Sequence, residues 1–205
     1  MRARDQIAVA AVLAAATYFA LRHVAEGKSE AAVGGGVFRP DAHHRDESEA
    51  LDRLRAQLEK MGDPGLAQRL DRLRASGELW IAPGLGPDRW AVFVTALGLS
   101  RRIYVRREAL LDPVAHLYRA PRPDIPAEYK HAHAWTSLAG ALRHEVAHFD
   151  GVREEAPAYD AEIEWYEARR RSGFLDSLAG EERRAWEWGI ESATLSARKA
   201  RERAG

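Results

Sequence analysis

The chain has 205 residues, enough for one domain of ordinary size and an extension. Its 31 basic and 31 acidic side chains cancel, so no overall positive field favours nucleic acid as a partner. The absence of cysteine excludes thiolate metal sites, a cysteine nucleophile, disulfides and a lipid-anchored cysteine.

Arg2 and Arg4 precede an alanine-rich apolar run from Ile7 to Leu21. As a helix that run spans about 22 Å, short of the roughly 30 Å hydrocarbon core of a bilayer. Extension to Ala25, with Arg22 and His23 reaching the interface, brings it close to spanning. Residues 1–25 are therefore read as an N-terminal membrane anchor, with the domain on the extracytoplasmic side because Arg2 and Arg4 favour the cytoplasm. The alternative is a cleaved signal segment that releases a secreted or periplasmic domain. Residues 26–48 read as a flexible linker: Gly34-Gly35-Gly36 and the polar stretch Asp41 to Glu47 bury little surface. His43 and His44 within it are read as solvated.

Residues 49–77 predict a helical hairpin. Leu51-Asp52-Arg53-Leu54-Arg55-Ala56 returns as Leu70-Asp71-Arg72-Leu73-Arg74-Ala75, with Gly62-Asp63-Pro64-Gly65 as the turn between the copies. Residues 78–205 then form the main domain. Its first part carries three strand-like runs, Leu79–Ala82, Trp90–Thr95 and Arg102–Arg106, rich in β-branched and aromatic residues. Pro121, Pro123 and Pro126 mark a long loop whose tail, with Tyr129, His131 and His133, is read as irregular surface.

A helix follows, with Trp135, Leu138, Leu142, Val146 and Phe149 at three- and four-residue steps. It carries His144-Glu145-Val146-Ala147-His148. Residues four apart stand one above the other on a helix, so both imidazoles can address one zinc ion. Glu145 is placed to act as general base on a zinc-bound water. Ser137, Gly140 and Ala141 leave room beside the histidines for a close neighbour. Gly151 ends the helix, and a second one starts near Glu154 and runs to about Arg171, with Pro157 tolerable in its first turn. A catalytic zinc site needs a third protein ligand, and a turn at Gly151 can swing Glu154 or Glu155 back over the histidines. Glu155, Ala158, Tyr159 and Glu162 share one face of the second helix, which favours Glu155 over Glu154; Glu162 is read either as a partner for a histidine N–H or as an ordinary surface residue. Trp165, Trp186 and Trp188 are read as helix packing in a helical C-terminal region.

The segment from His144 to Glu162 resembles the zincin metallopeptidases. Glu155 followed by Ala158 is similar to the gluzincin arrangement, in which a glutamate on the next helix is the third ligand. Gly151 and Glu154 fall at the metzincin glycine and third-ligand positions, with glutamate where that branch usually has histidine. The resemblance implies an α+β, mostly helical fold: a small β-sheet packed on the active-site helix, here preceded by the hairpin and the membrane segment. It also implies zinc-dependent hydrolysis of a protein or peptide substrate, held in extended form on an edge strand. Two other classes remain open, a zinc-binding scaffold without turnover and a membrane-anchored helical interaction protein built on the repeated leucine helices.

Overall fold

Leucines at helical spacing build the first two elements of the computed structural model, which describes residues 45–83, 85, 88–96 and 100–205. Helix α1 (Arg45–Lys60) buries Ala50, Leu51, Leu54 and Leu58, and α2 (Pro64–Ala75) buries Leu66, Ala67, Leu70 and Leu73 against them. Asp63 fixes the turn: its Oδ1 accepts the Leu66 N–H at 2.9 Å, and Pro64 needs no hydrogen-bond partner in the first helical turn. The other oxygen of Asp63 accepts the Trp165 indole N–H at 2.6 Å, tying the hairpin to a distant helix. The hairpin starts at Arg45, four residues before the predicted boundary. Glu47 accounts for the difference, because it is buried and paired with Arg107 at 2.7 Å, a partner far along the chain. The expected anchor and most of the linker lie outside the described residues. Among the described residues no helix is long and apolar enough to cross a membrane.

The three expected strands form one sheet in the order β1-β3-β2. Strand β1 (Leu79–Ala82) runs parallel to the central β3 (Ser100–Arg106), and β2 (Ala91–Ala96) is antiparallel to it. Leu79, Ile81, Ala91, Ile103 and Val105 point into the core, as the two-residue period requires. On the other face Trp80 and Tyr104 meet with ring centroids 6.0 Å apart, and Arg102 lies over the Trp80 ring. Two short helices that the sequence reading did not identify, α3 (Arg107–Leu111) and α4 (Pro113–Leu117), lead away from β3.

Helix α5 (Ala127–Phe149) is the organising element. It packs on β2 and β3, and also on α6 (Glu155–Arg171) and α7 (Gly180–Ala204). The helix begins directly after Pro126, so Tyr129, His131 and His133 lie in its first turns; the expected irregular loop is shorter. The apolar stripe starts earlier than Trp135, through the small buried Ala132, which is why the start was not visible as a large-residue pattern. His133 is held there by a 2.7 Å hydrogen bond between its Nδ1 and the Tyr118 hydroxyl, and by the Trp188 ring at 5.3 Å. At Gly189 of α7 an added Cβ would lie 2.8 Å from the His133 backbone nitrogen, so these helices approach at backbone distance. The result is an α+β molecule, mostly helical, with its small sheet on one helix of a three-helix group.

Candidate metal centre

The turn after α5 creates the site. Helix α5 ends with the Val152 N–H bonded to Ala147 O at 3.0 Å and the Gly151 N–H to His148 O at 3.1 Å. This paired closure needs a left-handed residue, and Gly151 supplies it with φ 114°. Four residues later α6 begins, so its first residue, Glu155, returns to the last turn of α5.

There the His144 and His148 Nε2 atoms stand 3.1 Å apart. The Glu155 carboxylate lies 3.2 Å from His144 Nε2 and 3.7 Å from His148 Nε2. Tetrahedral zinc with bonds of about 2.0–2.1 Å separates its ligand atoms by roughly 3.3 Å, so the donor set and its spacing fit that ion. Both histidines are largely withdrawn from solvent, whereas the Glu155 side chain is 62% exposed and closes the group from the open side. Glu154 is exposed at the N-cap position of α6 and stands outside the group.

The tautomer of His148 follows from its partner. Val152 O can only accept, so the 2.8 Å contact puts the proton on His148 Nδ1 and leaves a lone pair on Nε2. That lone pair faces a second imidazole nitrogen and a carboxylate, an arrangement that demands a proton or a cation between them. Behind His144, Glu162 is buried. Its Oε2 lies 3.4 Å from His144 Nδ1, a long contact that leaves this buried nitrogen without a well-formed hydrogen bond. Its Oε1 accepts the hydroxyl of the fully buried Tyr166 at 2.8 Å. Tyr166 fits because α5 has a glycine opposite it: a Cβ on Gly140 would sit 1.9 Å from the hydroxyl oxygen.

Glu145 points away from this chain of contacts, and its Oε2 accepts the backbone N–H of Phe93 in β2 at 2.6 Å. Loss of hydration raises the Glu145 pKa, against the lowering pull of His144 and of the Phe93 N–H. Burial alone would lower His144, but Glu162, Glu145 and Glu155 together outweigh it and raise the imidazole above its usual value. Tyr159 packs its ring on His144 with centroids 4.4 Å apart. Burial, and then the negative Glu162, Glu155 and Glu145, raise its hydroxyl, which stays protonated at neutral pH.

These groups line a cleft of about 1210 Å³ whose other wall is β2. Trp90 O accepts the Arg106 N–H at 2.9 Å, so the antiparallel alternation turns the main-chain groups of Ala91, Phe93 and Thr95 away from β3, to the free edge. The structure thus brings together His144, Glu145, His148, Glu155 and Glu162. Phe93, Tyr159 and Tyr166 join them without having been assigned a role from sequence. Tyr159 was within reach of sequence reading, one helical turn after Glu155; Phe93 carries no local signal. No protein-family model, curated protein or solved structure matches the chain.

Proposed function

We propose that the chain is a zinc-dependent peptidase, with His144, His148 and Glu155 as metal ligands and Glu145 as general base. The observation that carries this reading is the convergence of two imidazole nitrogens and a carboxylate at tetrahedral-ligand spacing, beside a further carboxylate with a raised pKa. When bound there, zinc would polarise a carbonyl oxygen and make a water more acidic.

The chain's own residues do the rest. Glu145 takes a proton from the attacking water and returns it to the leaving amine, a role suited to a carboxylate whose pKa is raised by burial. The Phe93 N–H holds one Glu145 oxygen and leaves the other for the water. Glu162 orients His144 from behind, as Val152 O orients His148. The edge main-chain groups of Ala91 and Thr95, with the Phe93 carbonyl, receive an extended peptide as an added strand, while the Phe93 N–H stays on Glu145. Tyr159 offers a neutral donor in the same cleft for a developing oxyanion. The apolar run Ile7–Leu21 would hold this domain at the extracytoplasmic face of a membrane.

The test is metal content by mass spectrometry with cleavage of a mixed peptide library. The purified protein should carry one zinc per chain. Glu155→Gln should lose most of it, and Glu154→Gln should keep it. Glu145→Gln should retain zinc while cleavage falls about 10²- to 10⁴-fold. A parent protein that takes up no zinc when folded and supplied with the ion would overturn the reading. Zinc without cleavage of any peptide, unchanged by Glu145→Gln, would leave a zinc-binding scaffold.

A further inference from the structure

The rim of the cleft has a charge pattern of its own. Among the described residues, apart from the three glutamates around the histidines, its charged lining consists of Arg89, Arg101, Arg153 and Arg203 against Asp88 alone. All four arginines are exposed. Elsewhere exposed arginines commonly find carboxylates: Arg198 pairs with Glu167, Arg183 with Glu187, and Arg201, two residues before Arg203, with Asp160 at 2.8 Å. Among the described residues Arg89, Arg153 and Arg203 have no such partner, and Arg101 only covers the Phe149 ring at 4.6 Å. Asp88 offers little compensation, being almost fully exposed and 3.9 Å from Arg119.

Their positions bracket the free strand edge. Arg89 lies two residues before β2, and Arg101 stands opposite Thr95 near its other end. Six residues of extended chain separate those levels, about 20 Å. Arg153 sits in the turn between His148 and Glu155, and Arg203 in the last turn of α7, so arginines also stand on the helical rim, outside the glutamates around the histidines. Among the described residues no lysine lines the cleft. Arginine's planar fork matches a carboxylate with two parallel hydrogen bonds, which an ammonium group does not.

We infer that this cleft selects acidic polypeptides, carrying carboxylates on both sides of the segment laid along β2. The inference rests on the peptidase reading for the purpose of the cleft, and deepens it by naming the substrate class. An extended peptide is favoured over other polyanions because the main-chain groups of Ala91, Phe93 and Thr95 lie at the free strand edge within the same cleft.

The experiment measures binding, which does not depend on turnover. The full chain carrying Glu145→Gln is titrated into dye-labelled peptides of about twelve residues, long enough to reach past both ends of β2. They share one core and are flanked by Glu, Gln or Lys. Fluorescence anisotropy should show the Glu peptide binding about tenfold tighter than the Gln peptide, and the Lys peptide weakest. The spread should narrow between about 0.05 and 0.3 M salt, as the screening length falls. Arg153→Glu with Arg203→Glu should abolish or invert the preference, with unchanged helical circular dichroism showing that the fold persists. Equal binding of the Glu and Gln peptides would overturn the inference. So would a preference that survives the double substitution, or tighter binding of single-stranded RNA or of vesicles rich in phosphatidylserine. The two readings separate cleanly. A protein that takes up no zinc yet prefers the Glu peptide would remove the peptidase and keep the acidic-ligand site. A zinc-loaded parent that cleaves all three peptides with equal kcat/KM would do the reverse.

Discussion

Gly140→Ala adds one methyl group to a helix, a change that on an exposed face would stabilise by about 1 kcal/mol. Here it should do the opposite. The new Cβ would sit 1.9 Å from the Tyr166 hydroxyl oxygen, 2.2 Å from Cζ and 2.6 Å from Cε1, and Tyr166 is fully buried. The ring must shift as a whole, because truncating only the hydroxyl still leaves the Cζ overlap. Overpacking of this kind costs about 1–3 kcal/mol, and loss of the Tyr166–Glu162 hydrogen bond about 1.5–3 more. After the helical gain, a net destabilisation of about 1.5–5 kcal/mol remains, or roughly 3–20 °C in Tm for a domain of this size. Urea unfolding of parent and variant at pH 7 without added metal measures it. Tyr166→Leu in the Gly140→Ala background should recover part of the loss relative to Tyr166→Leu alone, since the colliding atoms are gone. A Gly140→Ala protein as stable as the parent would refute the claim that α5 and α6 are held together at this contact.

Glu162→Gln keeps the shape and an acceptor for Tyr166 but removes the charge behind His144; zinc affinity, measured by competition with a chelating dye, should fall about 10- to 100-fold. Unchanged affinity would show that Glu162 does not orient the ligand. His133 should make the fold acid-sensitive. Burial lowers its pKa to about 4 from an ordinary value near 6.5, so the unfolded chain takes up the proton first as pH falls. Its stabilising effect is complete above pH 6.5 and is lost on the way down through about 4. Allowing for partial solvent access, the loss at pH 5 is about 1 kcal/mol. Urea midpoints at pH 7 and pH 5 should differ less in His133→Gln than in the parent; an equal difference in the two proteins would count against the buried neutral imidazole.

Much of this fold was legible because the signals were local. The duplicated leucine spacing gave the hairpin, β-branched runs gave three strands, and Gly151 marked the end of the motif helix. The preference for Glu155 over Glu154 came from helical face alone, and in the structure Glu155 faces the histidines while Glu154 does not. What escaped depended on contacts distant in sequence. The first turns of α5 carry alanines and histidines rather than large apolar residues, and their packing against Gly189 and Trp188 of α7 is invisible in a local pattern. The early start of α1 rests on Arg107, sixty residues away. The Phe93 N–H beside Glu145 is a backbone group, available at any residue of an edge strand, and only the antiparallel register selects it. Gly140 lay between these extremes: its lack of a side chain was plain, but not that the space belongs to Tyr166.

If the centre holds zinc as proposed, metal and protons compete for it. Folding gathers Glu145, Glu155 and Glu162 around two imidazoles, and without a cation this cluster takes up protons: His144 is raised by its acidic neighbours, and Glu145 by loss of hydration. A divalent ion needs those ligands deprotonated and must therefore expel protons as it binds. Its affinity should fall as pH drops through the raised His144 value, and the sign is fixed because the competing species is the protonated imidazole. Calorimetric titration of zinc into the chelator-treated protein, in two buffers of different ionisation enthalpy, would read the released protons directly. In Glu162→Gln the release near neutral pH should shrink, because His144 loses the contact that contributes most to its rise. Zinc uptake with no buffer-dependent heat at pH 6.5–7 would mean that His144 is already neutral there, and that the acidic ring does not act on it as the geometry requires.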